Sequence, residues 1–274
     1  MKDYLTSPGK LFRTPKAGYW LHRAKYLRHL LATPSVPGIA EMKDIHKGSR
    51  AFLVGNGPSL NKIDLTRLNG EITFGVNGIF LMENFMPKYW LTISENYVEG
   101  KEDLIQSSLR AERCFIPSSM TSVKLDLPSE YFLYEKIPNL APNKQPALVP
   151  SYFSFRPDKV VQGGGTVLFA CMQLAFFMGI REIILVGVDH DYGQPGEGSK
   201  EVKTGYQFVN TGTSHFREDY RPEGEVFHLN YAHLERAYRV GLETFQKHGG
   251  SIVNATPGTK LDIYPKVEFE SLFQ

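Results

Sequence analysis

The stretch EIILVGV, Glu182 to Val188, carries one charge and then an unbroken run of apolar residues and glycine. A strand with one wet face would alternate apolar and polar, whereas a continuous run marks a strand buried on both faces, as in a parallel sheet covered by helices. Parallel neighbours need long crossover connections, usually helical, and the rest of the chain has room for them. AFLV (Ala51–Val54), ITFGV (Ile72–Val76), YWLTI (Tyr89–Ile93) and CFIP at Cys114 read as further strands, and SLNKIDLTRL as a turn and short helix. TVLFACMQLAFFM (Thr166–Met178) reads as a buried helix ended by Gly179, and Leu229–His248 as the last long helix, before GG and the strand SIVNA. The alternation predicts an α/β, Rossmann-like fold: a mostly parallel sheet with helices on both faces. Residues 50–274 are expected to form this domain, with a Gly- and charge-rich lid over 193–226, and residues 1–49 to form a basic helical extension.

A length of 274 residues, 42% hydrophobic, is ample for a large core. Cys114 and Cys171 sit in apolar surroundings and read as reduced core residues rather than a disulfide or metal pair. The net charge of +2 is unevenly spread: residues 1–50 hold ten Lys/Arg and three Asp/Glu, so the remainder is net acidic. The basic charge gathers around Tyr19–Leu31, where Trp20, Ala24, Leu27 and Leu31 can share a helical face away from Arg23, Lys25, Arg28 and His29. Such a helix can pack on the domain with a solvated basic side, or dock on an anionic membrane face or acidic acceptor. The acidic remainder offers no extended basic groove, which argues against a nucleic acid partner. No apolar run reaches the roughly 18 residues of a membrane span. A cytoplasmic protein is expected, at most peripheral on the inner membrane face; homo-oligomerisation is left open.

Ligands of such sheets bind beyond the carboxyl ends of the strands. There the sequence places Gly55-Asn56-Gly57, Asn77-Gly78, Ser94-Glu95-Asn96, Asp189-His190-Asp191-Tyr192 and Asn254. GNGPSL lacks the lysine and hydroxyl of a P-loop, and Leu60 breaks the dinucleotide fingerprint. What survives is a tight turn, the two-sided amide of Asn56, and a helix start at Pro58-Ser59 whose free N–H groups favour an anion. An ordinary turn between strand and helix is the alternative. QGGGTVLFA offers a second such start, through Gly164 and Gly165 with Thr166 as cap, or a plain hinge. The pair Asp189/Asp191 can hold Mg²⁺ on ATP phosphates; alternatively Asp189 orients loop backbone or sugar hydroxyls. Proton removal from an acceptor hydroxyl suits a histidine, but the chain has eight and spacing alone selects none. His215, in the expected lid, is one candidate.

Taken together, GNGPSL, FGVNGIF, GGGTV, IREIILVGVDHDY, FHLNY and IVNATPGTKL resemble the MptE-like family, named for archaeal 6-hydroxymethylpterin diphosphokinases. They are also similar to the bacterial sialyltransferases of glycosyltransferase family 42. The resemblance runs over roughly Ser49–Leu261. Its sialyltransferase side implies a CMP-linked nine-carbon acidic sugar as donor, no required cofactor or metal, and a surface glycan or lipid-linked glycan, such as lipopolysaccharide or capsule, as acceptor. It implies donor-nucleotide contacts at Asn56 and Asn77; Gly55, Gly57, Ser59, Gly164, Gly165, Thr166, Asp189 and Asn254, read from the strand ends and helix starts, complete the expected nucleotide-binding set. It selects His228 as the catalytic base, and Tyr192 to steady the departing phosphate, one residue later after Asp189 than the family pattern. A second phosphate tyrosine has no unique counterpart, Tyr206 and Tyr220 both being available. Ser94, Glu95, Asn96 and His215 are expected to face donor or acceptor sugar. The pterin side implies pyrophosphate transfer from ATP with Mg²⁺; a non-catalytic nucleotide-binding protein is the third reading.

Overall fold

A computed structural model describes residues 24, 26–120, 125–132, 134–135, 152–191, 200–202, 205–209, 214–220, 224 and 226–274. Seven strands form one sheet: β1 (Arg50–Val54), β2 (Ile72–Val76), β3 (Tyr89–Leu91), β4 (Arg113–Pro117), β5 (Ser129–Phe132), β8 (Glu182–Val186) and β12 (Ser251–Asn254), while β6 (Tyr134–Glu135) and β7 (Val161–Gln162) pair apart from it. Their order is β12-β8-β1-β2-β3-β4-β5, and every pairing is parallel. The Rossmann-like α/β expectation therefore holds. From β1 the chain steps outward through β2 to β5, then returns to lay β8 on the other side of β1. The switch point of the sheet thus lies between β1 and β8, and crossovers on either side leave a crevice at their carboxyl ends.

Two cores explain why EIILV has no polar alternate. Ile183 and Leu185 of β8 join Ala51 and Leu53 of β1 on one face, while Ile184 and Val186 join Phe52 and Val54 on the other. Short 3₁₀ turns (Pro58–Lys62, Leu65–Leu68) and α1 (Glu102–Ser108) cover the second face. The first is covered by α2 (Val167–Phe177), buried along its whole length, and by the amphipathic α3 (Tyr231–Lys247). Gly179, at φ +92°, ends α2 as its sequence position suggests. Both cysteines are buried and free, and burial pushes the Cys114 thiol up to about 12.

Residues 36–48, counted with the N-terminal extension in the sequence, pack on the domain: Ile39 and Met42 enter the first core, and Asp44 N–H and His46 N–H donate to the carbonyls of Phe177 and Met178. In the helix over residues 26–32 the inward residue is Tyr26, hydrogen-bonded to Ser154 Oγ at 3.3 Å, whereas Ala24 and Leu31 are exposed. One hydrogen bond and a ring stacked on Tyr152 outcompete the apolar stripe drawn from spacing; Trp20, Arg23 and Lys25 lie outside the described residues. The expected lid is not all loop, because Lys200–Val202 (β9), Gly205–Val209 (β10) and Val226–Leu229 (β11) form an antiparallel sheet. Among the described residues no helix is long and apolar enough to cross a membrane.

One polar residue inside α2 is essential to this packing. Gln173 is fully buried; its Oε1 accepts from the N–H groups of Ser154 and Gln162, and its Nε2 donates to the carbonyls of Gln162 and Phe169. Gln173→Leu keeps the volume but orphans two buried N–H groups and a carbonyl, at about 1–3 kcal/mol for each unsatisfied group. Urea unfolding is expected to show a loss of roughly 2–4 kcal/mol, and an unchanged midpoint would show that this bridge contributes nothing.

Candidate functional site

At the switch point lies a crevice of about 360 Å³. Its rim is made by the segments that follow four strands: Gly55-Asn56-Gly57 after β1, Asn77 after β2, Ile93-Ser94 after β3, and Gly187 to Asp191 after β8. Gly165, Thr166, Val167 and Leu168 bring in the start of α2, Leu234 and Tyr238 one face of α3, and Ser214, His215 and Tyr220 a short wall from the region between β10 and β11. That volume lies at the lower end of the range for small-molecule sites.

The turns after β1 and β8 are built against each other. Gly57 N–H donates to Gly187 O at 2.9 Å, and the Asp189 carboxylate accepts from Ser59 N–H at 3.1 Å and Ser59 Oγ at 2.7 Å. A Cβ on Gly55 would run into the Gly187 carbonyl, and one on Gly57 into the Asp189 carboxylate. These glycines therefore let two turns close on each other, beyond any approach to a ligand. Gly187 adopts φ +68°, re-aiming the chain after β8. From the other side Thr256 Oγ1 accepts from Val188 N–H at 3.0 Å, Thr259 Oγ1 donates to Val188 O at 2.8 Å, and Lys260 N–H donates to Asp189 O at 2.8 Å. Burial pushes the Asp189 carboxyl above its ordinary range, against the hydrogen bonds from Ser59 and the charge of Lys62.

Asn56 is 9% exposed; its Nδ2 donates to Val76 O at 3.0 Å, while its Oδ1 has no partner among the described residues. A buried acceptor left empty costs about 1–3 kcal/mol, so this atom marks a place where a ligand donor is wanted. Asn77 takes the left-handed conformation (φ +47°) that asparagine tolerates better than most residues. Its carbonyl accepts from Trp90 Nε1 at 2.6 Å and its Oδ1 from Thr92 Oγ1 at 2.9 Å. Thr166 caps α2 through Oγ1, at 3.3 Å from Leu168 N. The wall is tied to the first turn, since Phe216 N–H donates to Asn56 O at 2.9 Å and Asn61 Nδ2 to Phe216 O at 2.9 Å. His215 lies flat on Tyr220, with ring centroids 4.0 Å apart.

Of the residues singled out from sequence, Gly55, Asn56, Gly57, Asn77, Ser94, Gly165, Thr166, Asp189 and His215 meet at this crevice. Ser59 sits just behind it, 1% exposed, as the partner of Asp189. Others are placed differently. Asn254 is fully buried and holds the Thr256–Thr259 turn through Thr256 N–H and Thr259 Oγ1, so it braces the loop after β8 rather than lining the crevice. Gly164 packs against Ala237 and Phe169, and Glu95 is exposed at the start of a one-turn helix (Glu95–Val98). Tyr192 and the side chains of Asn96, Tyr206 and His228 lie outside the described residues. The backbone of His228 pairs with Gln207 on β11, one residue before Leu229, which lines the crevice.

The two carboxylates after β8 serve different partners. Each oxygen of Asp189 accepts one hydrogen bond from Ser59, and Asp191 is paired with Lys260 at 2.7 Å, so both carboxylates are already engaged with protein partners. Among the described residues no group of three metal-ligating side chains forms.

Sequence reasoning set His190 at a strand end but gave it no role. It lines the crevice at φ +55°, with Nε2 3.4 Å from Glu235 Oε1 and its ring edge-on to Tyr231 of α3. The available signal was YAHLERAY, which puts Tyr231, Glu235 and Tyr238 on one helical face by their i, i+4, i+7 spacing.

Comparison with known families matches residues 25–195 to the family described as 6-hydroxymethylpterin diphosphokinase MptE-like. The chain belongs to this family. The match covers about three-fifths of the chain, from well before β1 to just beyond β8. It starts earlier than Ser49, in keeping with the packing of residues 36–48 into the core, and it leaves β11, α3 and His228 outside. No curated protein sequence matches the chain.

The contact between Asp189 and Ser59 carries a direct test. Asp189→Ala removes the acceptor of a buried N–H and is expected to lower the unfolding free energy by about 1–3 kcal/mol, read by urea denaturation. Wild-type stability in this variant would show that the two turns do not rely on the carboxylate.

Proposed function

We propose that this protein is a transferase that holds a nucleotide-linked donor across the switch-point crevice and passes its sugar to a hydroxyl acceptor. The observation that carries the reading is the buried, unpartnered Oδ1 of Asn56, facing a crevice that also receives the start of α2. A ring amine or ribose hydroxyl of a nucleotide supplies the missing donor, and the positive dipole end at the start of α2 favours a phosphate.

The charge of the crevice discriminates between donors. Among its described lining residues there is no Lys or Arg, while two aspartates are present. A triphosphate carries about four negative charges and is ordinarily held by lysine, arginine and Mg²⁺. A CMP-linked acidic sugar carries about two, one on its phosphodiester and one on the sugar carboxylate, a smaller load for helix N–H groups and hydroxyls to bear. The crevice therefore favours the sugar donor, in keeping with the resemblance of GNGPSL and Asn77 to sialyltransferases. An acidic nine-carbon sugar as donor and a surface glycan or lipid-linked glycan as acceptor belong to this proposal. In it, Asp189 orients the loop, no step runs through a metal, and His228 takes the acceptor proton from β11. Pyrophosphate transfer from ATP to a pterin is the second reading, favoured by the family's description.

Nucleotide preference separates the two readings. At a hundredfold excess over its Kd, a ligand adds about 2.7 kcal/mol to stability, so CMP is expected to raise the Tm by several degrees and ATP with Mg²⁺ to leave it unchanged. The reverse pattern would move the assignment to pyrophosphate transfer. His228→Ala is expected to keep the CMP shift and lose about 10²–10⁴-fold of transfer; unchanged turnover would remove His228 from the reaction.

A further inference from the structure

The described lining of the crevice holds no Lys or Arg, yet the reading above asks it to hold a phosphate. α3 brings a histidine to the glycine run that precedes α2. Gly164 lies against Ala237, and Gly165 against His233: a Cβ on Gly165 would sit 2.9 Å from Cδ2 of that ring and 3.7 Å from its Nε2. His233 and Ala237 are one helical turn apart, so two successive glycines without side chains let one face of α3 rest on the chain entering α2. Gly165 also takes φ +73°, a conformation that strains other residues. It lines the crevice, as does Leu234, the residue after His233.

The His233 ring is held in place but not used. Asn230 Oδ1 accepts from the backbone N–H of His233 at 3.0 Å and so fixes the first turn of α3. Among the described residues no hydrogen bond or ion pair engages either ring nitrogen. Nδ1 is buried, whereas Nε2 is not, and the residue as a whole is half-buried. Burial, and after it the charge of Arg236 one turn on, lower the pKa of the ring, so at neutral pH it carries a single proton. An orphaned buried N–H is rarer than an idle acceptor, which puts that proton on Nε2, the nitrogen with an open side. The positive end of α2 and the charge of Arg236 both make an anion the fitting partner for this donor.

We propose that His233 binds the phosphate of the donor, donating from Nε2 across the bare backbone of Gly165 at the start of α2. This rests on the reading above and adds a named side chain for the phosphate, on a helix beyond the stretch matched to the family. The buried, unpartnered Oδ1 of Asn56 then takes the nucleoside end. The contact is a charge-assisted hydrogen bond in which the ring keeps its proton. It gives the glycine run a second purpose, since a side chain at 165 would meet the imidazole and fill the place of the ligand. It also shows how the crevice manages without a lysine or arginine among its described lining residues: Arg236, 7% exposed, acts from within α3, where low dielectric lengthens the reach of a charge.

Calorimetry on the full chain, with pyrophosphate, CMP and cytidine as separate probes, reads what the ring contributes. His233→Phe keeps a flat ring over Gly165 and removes both nitrogens; it is expected to weaken pyrophosphate and CMP about tenfold while cytidine binds as before. His233→Gln returns a donor at the reach of Nε2 and is expected to recover most of that loss, which a merely structural role would not do. On the unaltered protein, histidine side-chain nitrogen spectra, assigned with the Gln variant, are expected to show the His233 ring signals moving with pyrophosphate and not with cytidine. Wild-type protein that ignores pyrophosphate and CMP, ring signals that saturating pyrophosphate leaves in place, or a Phe variant that keeps both anions or loses cytidine equally, would overturn the proposal. CMP bound with no dependence on His233 would remove this contact and leave the nucleotide reading standing. Pyrophosphate bound through His233 while CMP and cytidine fail to bind would support the anion site and instead remove the nucleotide reading.

Discussion

The molecule depends on one contact between strand ends, the closure of the β1 turn onto the β8 turn. β1 and β8 are far apart in sequence and adjacent in the sheet, and the reversal of strand order opens a crevice between their ends. Left open, such a crevice would be a shapeless gap. Here Gly57 N–H, Ser59 N–H and Ser59 Oγ reach across to Gly187 O and the Asp189 carboxylate. Glycine at 55, 57 and 187 keeps the backbones close enough for these bonds to form. Asn56 is thereby fixed at the floor, and His190 is thrown outward toward α3.

The same closure gives the carboxylates after β8 structural partners: Asp189 accepts from the first turn with both oxygens, and Asp191 turns to Lys260. The described lining of the crevice is hydroxyls, amides, two carboxylates and two imidazoles, with no Lys or Arg among them. Its polarity comes from fixed dipoles, which cost no reorganisation when charge moves during a reaction.

Much of this was legible in the sequence. The unbroken EIILV and AFLV runs announced strands buried on two faces, and both are strands of the parallel sheet. Gly-rich and Asn-bearing strand ends announced the crevice, because polar residues following several strands of one parallel sheet converge by topology alone. Thr166 as cap and Gly179 as terminator followed from local helix chemistry. What escaped was set by contacts distant in sequence. Asn254 looks like the other strand-end asparagines, yet its amide is consumed by a turn only a few residues on. His190 could not be told from its neighbours in DHD, since its role arises from a helix more than forty residues later. Tyr26 displaced the apparent apolar stripe of its helix because its partners, Tyr152 and Ser154, are remote in the chain. Gln173 reads as an interruption in an apolar helix until the backbone it serves is in place.

The most direct test of the account is a crystal structure of the protein soaked with CMP. The account places a base or ribose donor within hydrogen-bond distance of Asn56 Oδ1, with the phosphate beside Gly165 and Thr166. Nucleotide bound at the opposite, amino-terminal edge of the sheet, or an Asn56 Oδ1 still unpartnered beneath a bound ligand, would contradict it.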